Sequence, residues 1–180
     1  MIEFSRSEHL NKGWMLILLS FLISGTLLAQ PLPESFSRYY NYPQAAFDAD
    51  SCCWRQMSQN KAYLQAATLI AGYLKHGEVV NRHALCWHAG QLYALAQQDQ
   101  LAKKYMRKTY SVWYAWLGGM DGKTWYYYAK GTVAFLDGNQ ARLQIMIRRW
   151  EKRYPTDKNY VTLVSLSDHM GEPYSSAVVW

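Results

Sequence analysis

The sequence is poor in charge and in phenylalanine. Charged residues make up 18% of the 180 residues and hydrophobic residues 50%, which excludes a disordered chain and predicts a single domain with a buried core. Phe contributes only 5 residues, against 15 Tyr and 8 Trp. Most aromatic rings therefore carry a polar edge, which suits half-exposed positions in a groove.

Catalytic motifs are lacking as well. The chain has neither a nucleophile elbow nor a phosphate-binding glycine loop. His83 and His88 are spaced so that they lie on different faces of a helix, and His76 and His169 have no acidic or thiol partner at ligand spacing. We therefore predict no metal site, no cofactor and no enzymatic activity.

Cysteine is limited to Cys52, Cys53 and Cys86. In an oxidising compartment either Cys52 or Cys53 could form a disulfide with Cys86, leaving one free thiol. The alternative is three buried thiols that pack as small apolar side chains. Adjacent cysteines lack the two-residue spacer of a thioredoxin-type redox motif. The sequence leaves the choice between the disulfide and the free thiols open.

The first 29 residues are typical of a secretion signal. Arg6 and Lys12 precede an apolar run from Trp14 to Ala29, which is shorter than the roughly 20 apolar residues of a membrane-spanning helix. Cleavage near Ala29 would give a periplasmic or secreted protein. The alternative is an uncleaved N-terminal anchor, and we expect membrane attachment only in that case.

The first 29 residues carry no net charge, so the formal net charge of +6 belongs to the rest of the chain, in which many basic residues form two clusters. The residues are Lys103, Lys104, Arg107 and Lys108 in one predicted helix and Arg142, Arg148, Arg149, Lys152 and Arg153 in another. An exported protein meets anionic envelope polymers and lipid head groups, so we predict weak, salt-sensitive attraction to those and no nucleic-acid partner. A solvated outer helix face is the alternative explanation.

Two amphipathic helices are predicted on either side of a polar turn. Apolar residues recur at helical spacing at Leu85, Ala89, Leu92 and Ala96, and again at Leu101, Ala102, Tyr105 and Met106. Gln97, Gln98 and Asp99 interrupt the pattern, and we expect Asp99 to cap the second helix. The segment is therefore predicted to form an αα-hairpin.

This hairpin resembles a tetratricopeptide repeat. Gly90, Tyr93, Ala102 and Met106 match the small, aromatic, small and large positions of that repeat, in which Gly90 lets the two helices approach closely. A partial downstream copy contains Gly131, Leu143, Ile147, Trp150 and Pro155, and an upstream copy contains Tyr63, Ala66, Ile70 and Tyr73, with Asn60 as the helix cap. The chain also resembles a group of small exported bacterial proteins with tetratricopeptide-like repeats.

The resemblance implies an all-α fold, namely a short right-handed α-solenoid of about three helical hairpins plus a C-terminal capping helix. An unrelated helical bundle is the alternative. We predict a signal peptide at 1–29, an irregular lead-in at 30–46, the repeat-like domain at 47–170 and a tail at 171–180 that folds back. Trp113, Tyr114 and Trp116 are expected to close the second unit, before a long loop with Gly118, Gly119 and Gly122.

The resemblance also implies that the first helix of each unit lines a concave groove. The predicted groove residues are Arg55, Trp87, Gln91, Trp125, Tyr128 and Thr132. Rings with a few polar groups suit an extended peptide or a glycan, although the same rings could instead fill the core.

We thus predict an exported, non-catalytic binding module for a protein or peptide partner in the cell envelope, of an assembly, inhibitor or immunity type. The alternative function is binding of a cell-wall glycan or an anionic envelope polymer.

Overall fold

A computed structural model describes residues 34–152 and 157–178, and within these ranges the chain is helical and contains no strand. The predicted all-α class is therefore confirmed for this part of the chain. None of the helices in these ranges is long and apolar enough to cross a membrane. The predicted signal peptide with its cleavage near Ala29, and the stop signal at Pro155, lie outside the described residues.

The helices follow one another with short connections. They are α1 (Gln44–Phe47), α2 (Cys53–Gln59), α3 (Tyr63–His76), α4 (Arg82–Leu95), α5 (Asp99–Met106), α6 (Val112–Leu117), α7 (Gly119–Leu136), α8 (Gln140–Glu151), α9 (Lys158–Asp168) and α10 (Tyr174–Ala177), with 3₁₀ segments at Glu34–Asn41 and Arg107–Thr109. Successive pairs pack together, as α2 does with α3, α4 with α5 and α7 with α8.

The same turn joins the two helices of each of these pairs. One residue in each turn has a positive φ, at 59° in Lys61, 57° in Gln97 and 64° in Gly138. The next amide then donates to the carbonyl five residues earlier at 2.8 Å in all three turns, in the pairs Ala62 to Met57, Gln98 to Tyr93 and Asn139 to Ala134. This hydrogen bond closes the C-terminus of the first helix. The three pairs are thus hairpins of the same local geometry.

The turn geometry shifts two of the predicted helix caps. Asp99 is the first residue of α5 and not its cap, which is Gln98 and makes no side-chain capping bond. Asn60 ends α2 and does not begin α3, which starts after Ala62. Both predictions were wrong because the residue with positive φ adds one position to the turn. In the third hairpin Asn139 does cap α8, accepting a hydrogen bond from the Arg142 amide.

Gly90 has the packing role that the sequence predicted. A Cβ atom at this position would lie 2.5 Å from Cγ of Met106 and 3.2 Å from the carbonyl oxygen of Ala102. Only glycine therefore allows α4 to lie this close to α5. Gly131 instead allows α7 to approach α9, since an added Cβ would lie 2.9 Å from the methyl groups of Leu163, whereas Leu143 of α8 is 3.4 Å away.

The described part of the predicted irregular lead-in has regular structure. It contains a 3₁₀ segment and α1, and the ring of Phe47 stacks on Tyr73 with 3.9 Å between centroids. The Tyr73 hydroxyl donates a hydrogen bond of 2.7 Å to the carbonyl oxygen of Tyr42. Burial of these rings against α3 explains why a segment rich in proline adopts a fixed structure.

Partly exposed ionic contacts connect the second and third hairpins. Nζ of Lys103 lies 2.9 Å from one carboxylate oxygen of Asp137, and Arg107 lies 3.0 Å from the other. Partial burial opposes ionisation of Asp137, but the hydrogen bonds and charges of Lys103 and Arg107 outweigh it and lower the pKa of the carboxyl group. These contacts join α5 and the 3₁₀ segment after it to Asp137, which directly follows α7. Helix α6 lies between them in the sequence.

We predict that Gly90→Ala destabilises the protein, although alanine favours a helix by about 1 kcal/mol over glycine. The added methyl group overpacks the α4–α5 crossing, so the free energy of unfolding should fall by about 1–3 kcal/mol in urea denaturation. Met106→Ala provides the control, because shortening that side chain removes the clash. The double variant should then lose less than the sum of the two single changes. An increase in stability for Gly90→Ala alone would contradict the close approach.

Candidate functional site

Three of the predicted groove residues come together between α4 and α7. The ring centroids of Trp87 and Trp125 are 4.8 Å apart, those of Trp87 and Tyr128 5.1 Å, and those of Trp125 and Tyr128 5.9 Å. Trp87 and Tyr128 are each only 6% exposed, while Trp125 is half-buried. Of the two alternatives, core and binding surface, Trp87 and Tyr128 therefore take the core position.

The linker before α6 is attached to this ring cluster. The indole Nε1 of Trp125 donates to the carbonyl of Thr109 at 2.7 Å, and Nε2 of His83 lies 2.6 Å from the same oxygen. Because a carbonyl only accepts, this contact requires the proton of His83 on Nε2. The His83 ring also lies 5.0 Å from that of Trp125. His83 is thus part of the cluster, although its spacing in the sequence does not predict this.

The surface of α4 and α7 that carries the predicted groove residues is called the inner face. Its two other predicted residues, Thr132 and Gln91, differ in accessibility. Thr132 is fully buried, and its hydroxyl donates to the Tyr128 carbonyl one turn earlier in α7. In this structure Thr132 is therefore covered, and its polar group is satisfied within the helix. Gln91 is half-buried, and its side chain lies close to His88 and to Tyr174.

The C-terminal segment Pro173–Val178 covers the inner face. Helix α10 packs against α4 and α9, and the buried Tyr174 ring lies 6.3 Å from that of Phe135 in α7. The Ala177 carbonyl accepts a hydrogen bond of 2.8 Å from Ser165 in α9. The expected open groove is therefore filled here by the chain itself. Of the predicted tail at 171–180, the described residues 171–178 contain the short helix α10, and Val179 and Trp180 lie outside the described residues.

The hydroxyl of Tyr174 is in an unusual position. It is buried and makes no hydrogen bond of good geometry, although the Gln91 side chain lies near it. Burial raises the pKa of Tyr174 far above its usual value. The indole Nε1 of Trp150, whose ring lies 6.4 Å from that of Tyr128, is likewise buried without a partner. The ring of Tyr174, and not its hydroxyl, therefore provides the favourable interaction with the inner face.

Arg55 belongs to a separate cluster at the edge of the inner face. Its guanidinium lies 4.3 Å above the Trp54 ring, and Nε donates to the Asp48 carbonyl at 2.6 Å. Trp54 in turn lies 5.2 Å from the ring of His88. Burial, followed by the charge of Arg55, lowers the pKa of His88. The half-buried polar side chains at this edge, next to α2, are therefore those of Arg55 and His88.

All three cysteines are free thiols in the structure, so the Cys52 or Cys53 disulfide with Cys86 is not formed in it. Burial raises the pKa of Cys53 to about 12 and also raises the pKa of Cys86. Such thiols are poor nucleophiles at neutral pH. Within residues 34–152 and 157–178, no group of three or more His, Cys, Asp or Glu side chains is arranged to hold a metal ion.

The region after the second hairpin differs most from the prediction. Trp113, Tyr114 and Trp116 form the separate helix α6, and Gly119 and Gly122 lie within α7 and not in a loop. Helix α6 has no buried residue. The sequence suggested the opposite, because a helix without polar residues on any face is usually part of a core. The exposed aromatic surface was therefore missed.

Comparison with known proteins gives no match to any protein family, curated protein or solved structure. The tetratricopeptide-like resemblance therefore remains a hypothesis based on the residues of the hairpins.

We predict that Tyr174→Phe raises the free energy of unfolding by about 1 kcal/mol, because it removes a buried hydroxyl without a partner. Tyr73→Phe is the matched control, since Tyr73 is also buried but its hydroxyl is bonded. That change should lower stability by about 1–3 kcal/mol. Denaturant unfolding of both variants is the measurement. A loss of stability in Tyr174→Phe would show that Gln91 or a water satisfies the hydroxyl.

Proposed function

We propose that the protein is an exported, non-catalytic binding module that holds a segment of a peptide or protein partner in the cell envelope. One observation supports this proposal above the others. The inner face of α4 and α7 packs a short piece of polypeptide, the chain's own Pro173–Val178, around the ring of Tyr174. A surface that accepts one aromatic-anchored segment has the shape and the apolar lining to accept another.

The proposed architecture is a short right-handed α-solenoid of tetratricopeptide-like hairpins. Its support is the repetition of one turn geometry in three hairpins, at intervals of about 36 and 41 residues, close to the repeat length of that class. Helix α9 packs over both helices of the third hairpin. In a solenoid the last repeat needs such a cover, because its apolar face would otherwise meet water.

A partner segment would reach the inner face from the side of the hairpin turns. A cleft of about 390 Å³ lies there beside the C-terminal segment, and Gln97, Gly138, Phe135 and Tyr174 are among the residues that line it. A partner with an aromatic side chain would take the place of Tyr174. The free energy needed to displace the segment would weaken binding, so we expect moderate affinity.

Binding of an anionic envelope polymer is the second candidate, and a basic surface of α8 favours it. Arg148, Arg149 and Lys152 line a cleft of about 330 Å³. Stacking of a glycan on Trp87 and Tyr128 is less well supported, since both rings are buried. Envelope material captured on the protein separates the two functions. A peptide or protein partner should stay bound at high salt, whereas a polymer held by arginine and lysine should be released.

We predict that the inner face binds the C-terminal segment when it is supplied as a separate peptide. A chain ending at Met170 is mixed with a labelled peptide of residues 171–180, and binding is followed by fluorescence anisotropy. Saturable binding is expected because the apolar contacts of Tyr174 and Ala177 are restored. A peptide with Tyr174→Ala is the control and should bind at least about tenfold more weakly, given the apolar area of the lost ring.

Failure of both peptides to bind would contradict the proposal, provided that the shortened chain keeps its helical circular dichroism. Equal binding of both peptides would also contradict it, because the proposal requires an aromatic anchor. If the shortened chain does not fold, the same peptides compete for the full-length protein. An excess of the wild-type peptide should then make the C-terminal segment accessible to carboxypeptidase, whereas the control peptide should not.

A further inference from the structure

The corner formed by α6 and the start of α7 carries a contiguous exposed apolar surface. The residues of this aromatic tip are Val112, Trp113, Trp116, Leu117 and Met120, whose exposed fractions lie between 59% and 73%. Two tryptophans and a leucine rarely project side by side into water from a protein that works alone. Packing within the described part of the chain does not account for them, because α6 has no buried residue.

The aromatic tip is held in a defined geometry. Helix α6 lies so close to α7 that a Cβ atom on Gly122 would come within 2.5 Å of the Tyr114 carbonyl oxygen. Gly119, with a φ of 60°, allows the abrupt reversal between the two helices. Tyr114 also connects α6 to the ring of His83, at 5.9 Å. The tip is therefore a preformed projection, so binding through it needs little ordering of the chain.

The charges around the aromatic tip point to an anionic apolar partner. The stretch from Ser111 to Met120 contains no charged residue, and Asp121 follows it. In the sequence the exposed cations Lys104 and Lys108 precede this stretch, and the half-exposed Lys123 follows it. An uncharged surface rich in Trp, flanked by Lys, is the composition of segments that lie in the interfacial layer of a bilayer.

We propose that the aromatic tip inserts into the head-group layer of an anionic membrane and holds the folded domain against it. The residues of the tip form a projecting corner of exposed apolar side chains. They include no charged group that could recognise a specific peptide sequence, so the tip is better suited to insertion into lipid. The apolar run Trp14–Ala29 in the sequence also directs the chain to a membrane, so the tip meets lipid before or after export. This attachment does not depend on cleavage of the leader or on the inner face.

The test is partitioning of the full-length chain onto vesicles, measured by sedimentation. Vesicles of phosphatidylglycerol and phosphatidylcholine are compared with vesicles of phosphatidylcholine alone. The variant Trp116→Ser with Leu117→Ser removes two exposed apolar side chains and touches no buried contact of the described structure. Val80→Ser with Val161→Ser is the matched control, because these two residues are also exposed and belong to neither α6 nor α7.

The tip variant should bind anionic vesicles at least about tenfold more weakly than the wild type, and the control less than about twofold. Any contribution of the N-terminal apolar run is common to all the proteins and cancels in the comparison. Wild-type binding should also fall with salt and be weaker on phosphatidylcholine alone. Circular dichroism and thermal unfolding of each variant show that the fold is kept.

Equal partitioning of the tip variant and the control would overturn the proposal. A second test measures acrylamide quenching of tryptophan fluorescence in the absence of vesicles. The contribution of Trp113 and Trp116 is the difference between the wild type and the double variant Trp113→Phe with Trp116→Phe. The proposal would also be overturned if acrylamide failed to quench this contribution. The rings would then be covered in solution. Sedimentation equilibrium would then identify what covers the rings. A dimeric wild type with a monomeric tip variant would indicate a second copy of the chain. A monomeric wild type would indicate the chain's own N-terminal segment.

Discussion

The ring cluster between α4 and α7 is the contact on which the arrangement of the second and third hairpins depends. Helix α6 and the 3₁₀ segment Arg107–Thr109 lie between these hairpins, so α7 does not follow α5 after a short turn. Trp87, Trp125 and Tyr128 connect the first helices, and the Thr109 carbonyl fixes the linker to the same cluster. The ion pair of Lys103 with Asp137 adds a second, polar connection. Without these contacts the two hairpins would share little apolar surface.

The C-terminal segment covers apolar surface of α4 and α7 next to this cluster. A small domain buries a limited fraction of its surface, so an exposed Phe135 would remove part of its core. The ring of Tyr174 lies against Phe135, even though its hydroxyl is left without a partner. The favourable area of the ring must therefore exceed the cost of the hydroxyl. A site whose cover contains such a defect is easier to open than a fully satisfied core, which is consistent with a surface that exchanges its own segment for a partner's.

Local features could be predicted from the sequence, whereas features that depend on distant contacts could not. Helix α4 and the role of Gly90 follow from helical spacing and from the size of one side chain. The positive φ of Lys61 and Gln97 could not be foreseen, because neither residue favours that conformation and the hairpin imposes it. The burial of Trp87 and Tyr128 involves contact between two helices that are far apart in the sequence. The exposure of α6 was missed because an apolar sequence alone does not reveal whether the fold supplies a surface to cover it.

The packing of the C-terminal segment on the inner face is the central claim, and nuclear Overhauser effects between aromatic rings test it most directly. The account predicts cross-peaks between Tyr174 and Phe135 and between Trp87 and both Trp125 and Tyr128, together with slow hydrogen exchange of the Trp125 indole that is bonded to Thr109. Cross-peaks within the Trp87 cluster but none from Tyr174 would show an inner face that is open in solution. Absence of both sets would contradict the arrangement of the hairpins itself.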